Sequence, residues 1–307
     1  MITALIVIVS IVVVFLAISY AAYDYCFRSH KYRQANEYDV PDTDFKPKAL
    51  ENILSLINTP FEFVNITSHD GLKLSARYYH FRDGAPVGII MHGYRSNYCR
   101  DGSGGFALLK DMGFNLLLPD QRAHGKSEGR VISFGINERK DCFGWTKYIT
   151  ERFGNETQII LVGISMGAAT VMMASDIVSD TNVKAIVADC GYTSAKEIIM
   201  HVAGSMHLPS RIGYFFAKAG ARIFGNLNIC EHSCVDSLKN TQIPVIVIHG
   251  EADCYVPCKM SYLCYESCSS YKEILTVAQA AHATSFYINT KAYTEKVCAF
   301  LKKFVKF

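Results

Sequence analysis

The sequence predicts an α/β fold: a mostly parallel eight-stranded sheet with helices on both faces and a small helical cap, preceded by one N-terminal transmembrane helix. Three observations point there. Short, mostly apolar runs alternate with helix-length segments, the pattern of a parallel sheet covered on both sides. One of those runs, Ile159-Ile160-Leu161-Val162, leads into Gly163-Ile164-Ser165-Met166-Gly167 and then into a helix of small residues. The stretch 2–23 contains no charged side chain.

That first stretch is dominated by Ile, Val, Leu and Ala and would span about 30 Å as a helix, enough to cross a bilayer. A secretory signal peptide is the competing reading, since residues 17–22 are small enough to permit cleavage and a secreted enzyme. Met1-Ile2-Thr3, however, offers no basic n-region. Arg28, Lys31 and Arg33 follow the segment and Asp24 is the only early acid, so the positive-inside tendency puts the rest of the chain on the cytoplasmic side. Eleven cysteines, an odd number spread through the expected elements, agree with a reducing compartment. The expected division is a membrane anchor at 1–23, a juxtamembrane linker at 24–60 with Pro41, Pro47 and a short helix near 49–57, and one α/β domain at 61–307.

Residues 61–66 and 72–79 alternate in polarity around the turn Ser68-His69-Asp70-Gly71, so the domain opens with antiparallel strands. Strands are then expected at 87–91, 114–118, 158–162, 184–188, 243–248 and 273–277. Helices are expected at 105–112, 135–150, 168–178, 256–267 and 285–306. The connection between Asp189 and Thr241 is longer than a crossover needs. Its surplus, about 191–240, is read as the cap, with helical patterns at 195–203 and 211–224.

In an open parallel sheet, reactive groups gather at the carboxyl ends of the strands. Ser165 sits there in a strand-to-helix turn that needs glycines on both sides. Asp253 follows the run ending at Ile248, and His282 follows the run ending at Val277. A neutral Ser is a poor nucleophile, so His282 is expected to take its proton and Asp253 to orient and stabilise the imidazole. His92-Gly93-Tyr94 follows the strand at 87–91, so the Tyr94 and Met166 amides are candidates for an oxyanion hole.

These pieces, with Asp120-Gln121-Arg122-Ala123-His124-Gly125-Lys126-Ser127 between them, resemble the α/β-hydrolase fold family, and within it the esterase/serine aminopeptidase-like branch. They occur in the family's order over roughly 61–307. The resemblance implies an α/β-hydrolase fold, Ser165 as nucleophile, Asp253 as acid, His282 as base, and oxyanion donors at Tyr94 and Met166. The Asp120 segment departs from the family's Gly-His-Gly-x-Ser form by having Ala123 before His124, in a loop that is structural in the family.

Rival readings attach to single residues. Glu251 and Asp189 compete with Asp253, and His249 and His124 are false bases that would brace loops. His92 would position the oxyanion loop. Cys254, Cys258, Cys264, Cys268, Cys230 and Cys234 lack a tight Cys-x-x-Cys knuckle and read as small buried hydrophobes, not a metal site. The expected function is a membrane-tethered serine hydrolase cleaving an ester or related acyl bond of a small-molecule substrate, with no cofactor and no metal. Thioesterase, peptidase or acyltransferase chemistry uses the same triad, and a catalytically silent membrane-bound interaction module is the rival from another class. A net charge of +3 without basic runs sets nucleic acid aside. Met200, Met206, Leu208, Ile212, Phe215 and Phe216 are candidates for an apolar acyl pocket in the cap.

Overall fold

A computed structural model describes residues 1–30, 34–40, 42–179 and 182–307. Lys31, Arg33 and Pro41, on which parts of the orientation and linker expectations rest, lie outside the described residues. In chain order the elements are α1 (Ile2–Cys26), α2 (Lys46–Asn58), β1 (Glu62–Thr67), β2 (Lys73–Tyr79), β3 (Val87–Met91), α3 (Ser103–Asp111), β4 (Asn115–Pro119), α4 (Glu138–Phe153), β5 (Ile159–Ile164) and α5 (Met166–Ala174). There follow β6 (Val183–Asp189), α6 (Ala195–Ser205), α7 (Ser210–Gly225), α8 (Cys234–Asn240), β7 (Val245–Gly250), α9 (Lys259–Ser267), β8 (Lys272–Val277), α10 (Ser285–Ile288) and α11 (Thr290–Leu301).

The eight strands form one sheet in the order β1-β2-β4-β3-β5-β6-β7-β8. β2 pairs antiparallel with both β1 and β4, and the remaining pairs are parallel. Alternate side chains of the central strands therefore enter two cores. Ile89, Leu117, Leu161 and Val247 join Trp145 and Met172 on one face; Ile90, Leu116, Ile160 and Ile248 join Phe106, Ile53 and Phe300 on the other. The eight-stranded, mostly parallel sheet with helices on both faces is the one expected.

Several helix ends differ from expectation for local reasons. α9 begins at Lys259 and not at 256, because Asp253 Oδ1 accepts the amides of Tyr255 and Val256, each at 2.8 Å, and holds them in a turn. The last helix is two helices: Asn289 separates α10 from α11 and caps the second, its Oδ1 accepting the Ala292 amide at 3.1 Å. α8 was not expected, although Ser233 caps it by accepting the Asp236 amide at 3.1 Å. It packs on α5, with Ser237 Oγ donating to the Met173 carbonyl at 2.8 Å, so the cap over the strand ends consists of α6 and α7.

The N-terminal apolar helix extends to Cys26 and is long enough to cross a membrane. Its last three turns lie on the cap. Phe15 meets Phe215 and Phe216 at 6.0 and 5.8 Å between ring centroids, and Tyr20 and Tyr23 meet Phe224 at 5.2 and 6.0 Å. Between them Gly220 meets the Ser19 carbonyl so closely that a Cβ would stand 2.1 Å from the oxygen. α1 and α7 therefore run side by side in the same direction. After α1, Phe27 is fully buried and the Ser29 amide donates to Arg130 O at 2.8 Å, while Ile53 and Leu56 of α2 join the core on the other face of the sheet.

All eleven cysteines are free thiols. Cys234, Cys264 and Cys268 are buried as expected, whereas Cys230 and Cys254 are exposed, in the loop after the cap and in the Asp253 loop.

Candidate active site

Ser165 ends β5 and caps α5, with φ 57° and ψ −116°, a backbone state that a residue with a Cβ holds only when its surroundings enforce it. The surroundings do. A Cβ on Gly167 would fall 1.9 Å from the Met91 carbonyl oxygen, and one on Gly163 would fall 2.2 Å from that of Gly167. Helix and strand approach so closely that only glycine fits at either position. The Ser165 amide donates to Asp189 O at 2.9 Å and its carbonyl accepts the Ala169 amide at 3.0 Å, which fixes the turn from both ends.

Three side chains from three loops meet at this turn. Ser165 Oγ lies 2.9 Å from His282 Nε2, and His282 Nδ1 lies 2.7 Å from Asp253 Oδ2. The same Oδ2 is 3.2 Å from His249 Nε2, while Oδ1 is occupied by the two amides that shape the loop. Burial alone would raise the Asp253 carboxyl, but hydrogen bonds from His249 and His282 outweigh it and hold the group well below the usual carboxylate range. His249 is itself locked, by Ser261 Oγ at 2.6 Å and the Val256 carbonyl at 2.8 Å, and thus braces the carboxylate loop. A hydroxyl, an imidazole and a carboxylate in this series can move a proton from oxygen to nitrogen while the carboxylate steadies the resulting cation.

The loop after β3 brings Gly93 and Tyr94 beside the serine. The Gly93 amide donates to Asp101 Oδ2 at 2.7 Å, and a Cβ on Gly93 would stand 3.3 Å from that of Ser165. His92 and His124 brace this loop. His92 Nε2 accepts the Gln121 amide at 3.0 Å, and His124 Nε2 accepts the Arg95 amide at 3.0 Å. Burial depresses both imidazoles, His124 to about 3, so each stays neutral and keeps an acceptor nitrogen for its amide. Met166 opens α5, where the first amides of a helix have no partner in a preceding turn.

Neither rival acid reaches the imidazole. Glu251 accepts a hydrogen bond from Thr276 at 2.7 Å, and Asp189 is fully buried, its carboxyl pushed up to about 6 by that burial. Cys190, Asp253 and His282 bring potential metal ligands within 4.8 Å of one another. Burial raises the Cys190 thiol well above its usual range, which keeps it protonated, and the Asp253 oxygens are already taken. The trio fits a hydrogen-bonded relay better than a cation.

Above Ser165 lies a cavity of about 470 Å³, within the size range of small-molecule sites. Met206, Leu208, Ile212 and Phe216 line it, as the cap residues were expected to; Met200 and Phe215 do not, and Phe215 is exposed on the outer side. Its other wall was not foreseen: Ile18, Ala21, Ala22, Tyr25 and Cys26 of α1. A sequence trace of that role is the pair Ala21-Ala22 at the end of a helix of bulky residues. Tyr94 ties the wall to the Gly93 loop, its hydroxyl donating to the Cys26 carbonyl at 2.8 Å.

Known proteins bear on this geometry in three ways. A family profile described as alpha/beta hydrolase fold matches residues 91–206. The Bacillus subtilis protein YqkD is 27% identical over 199 residues, 63% of this chain and 64% of its own, and human protein ABHD12B is 28% identical over 204 residues, 60% of this chain and 50% of its own. The matched stretch thus spans less than two thirds of either relative. The Pyrococcus furiosus esterase Pf2001 superimposes with a TM-score of 0.65 at 23% identity, covering 81% of this chain and 95% of that one. Sheet order, strand directions and the matched profile agree that the chain has the α/β-hydrolase fold.

Proposed function

We propose that this chain is a serine hydrolase, carboxylesterase-like, that cleaves an ester or related acyl bond of a small-molecule substrate through a covalent acyl-enzyme. One observation carries the reading: Ser165 Oγ, His282 and Asp253 stand in series at 2.9 and 2.7 Å on a strained turn whose glycines admit no other residue. In the first half-reaction Ser165 Oγ attacks the acyl carbonyl carbon as His282 Nε2 accepts its proton. The carbonyl oxygen becomes an oxyanion facing the Tyr94 and Met166 amides. Collapse breaks the bond to the leaving group, which takes the proton back from His282. In the second half-reaction His282 deprotonates a water that attacks the acyl-enzyme, and the acid leaves as Ser165 recovers its proton. No step needs a metal or a cofactor.

The apolar cavity supports an acyl group of some length, and the superimposed P. furiosus protein, named as an esterase, supports ester chemistry. α1 is the anchor in this reading, with the domain on the cytoplasmic side, where Arg28 follows the apolar run. The test is labelling by a fluorophosphonate probe. Wild type is expected to label and Ser165→Ala to be silent; full labelling of the variant would assign the chemistry to another nucleophile.

A further inference from the structure

We propose that the substrate is a long-chain acyl ester resident in a membrane, and that α1 is one wall of the channel by which its chain reaches Ser165. The proposal rests on the serine hydrolase reading and names its substrate class. Ile18, Ala21, Ala22 and Tyr25 are spaced as one face of a helix, and all four line the cavity. Opposite them stand α6 and α7. The cavity reaches the surface at Met206, Leu208 and Ile212, which line it and are 47%, 50% and 56% exposed. Its mouth is therefore rimmed by apolar side chains left exposed among the described residues.

That rim is continuous with the anchor. Residues 2–14 of α1 are exposed throughout and carry mainly Ile, Val and Leu, and the next residue, Phe15, touches Phe215 on the outer side of the cap. Thirteen residues rise about 20 Å, short of the roughly 30 Å of a hydrocarbon core. For α1 to cross, about seven more residues must enter the bilayer. Those are the residues packed along α7, so the tip of the cap enters with them and the mouth opens into lipid. Tyr20 and Tyr25, both exposed, then fall near the level of the headgroups, where tyrosine is favoured. Lys218 and Arg222, level with the part of α1 that ends the span, are exposed on α7 without an acidic partner among the described residues. Their long stems let the charges reach lipid phosphates. An ester whose chain already lies in the leaflet slides along α1 into the cavity and presents its carbonyl to Ser165 without the chain crossing water.

The experiment uses the full-length protein and acetyl, octanoyl and palmitoyl esters of one alcohol, offered in detergent micelles and in phosphatidylcholine vesicles. Wild type is expected to favour the palmitoyl over the acetyl ester in kcat/KM. Ala22→Trp, which fills the α1 side of the cavity, should lower that preference by at least about tenfold. Ile18→Trp, on the same face but more exposed, keeps the test alive if Ala22→Trp fails to fold, and fluorophosphonate labelling reports an assembled site in either variant. Phe215→Glu, outside the cavity, should lower the ratio of vesicle to micelle turnover by about tenfold. A wild type that labels yet favours the acetyl ester, or chain-length and vesicle ratios unmoved by these variants, would overturn the membrane channel alone. An unlabelled wild type would overturn the hydrolase reading as well.

Discussion

The serine turn and the cap are a few ångströms apart and are built on opposite plans. The turn is held by specific neighbours: glycines press on carbonyls, amides hold Asp253, and neutral histidines hold the loops. Around the cavity the contacts are apolar and interchangeable, between Met206, Leu208, Phe216 and the small residues of α1. Chemistry depends on distances held to a few tenths of an ångström, whereas holding a chain of methylenes requires only volume and shape. The first region should therefore respond to single atoms, and the second should respond gradually to changes of size.

The largest response is expected from Ser165→Ala, which removes one oxygen and should lower kcat by about 10⁶-fold. A loss below tenfold would end the contrast at once. Asp253→Asn keeps the shape and removes the charge, and is expected to cost about 10⁴-fold in kcat. The pH profile sharpens the same point. Burial would raise the Asp253 carboxyl, but its hydrogen bonds from His249 and His282 hold it low, so it remains charged as the pH falls. Protonation of Asp253 should then not shape the acid limb of the profile; a limb near pH 4, where ordinary carboxylates titrate, would contradict this. Gly167→Ala tests the packing itself. With a carbonyl oxygen 1.9 Å from the new methyl, a destabilisation above about 4 kcal/mol, seen as loss of a cooperative thermal transition, is expected. The smallest effect belongs to the cap: Phe216→Leu should cost less than about 1.5 kcal/mol and shift KM more than kcat. A collapse of kcat there would mean that the cap positions the reacting groups directly.

Sequence reasoning reached the strands because buried parallel strands leave short apolar runs, and it assembled Ser165, Asp253 and His282 because each follows such a run. It merged α10 with α11 because apolar periodicity continues across Asn289, whose capping role shows only in the direction of its side chain. α8 was legible in Ser233 and Asp236, three residues apart, and was passed over. The wall formed by α1 was not legible in the same way. A helix apolar on every side has no preferred face, so its composition reads alike whether lipid or protein surrounds it. Gly220 was the missing clue, a flat place on α7 whose meaning requires knowing which helix lies against it. His249 was dismissed as a base with good reason, yet its hold on Asp253 becomes visible only once the loop is folded back on the strand.

The parallel seating of α1 on α7 bears on how this protein can be handled and how it could have changed over time. Cutting the chain after residue 24 would remove the long apolar helix, but it would also take away Ile18, Ala21 and Ala22. The released domain would keep its serine and lose one side of its ruler. Chain-length preferences measured on that fragment would describe a wider, open slot and not the enzyme. By the same logic, a descendant without the apolar helix could not arise by deletion alone; it would have to grow a replacement for the surface that α1 covers.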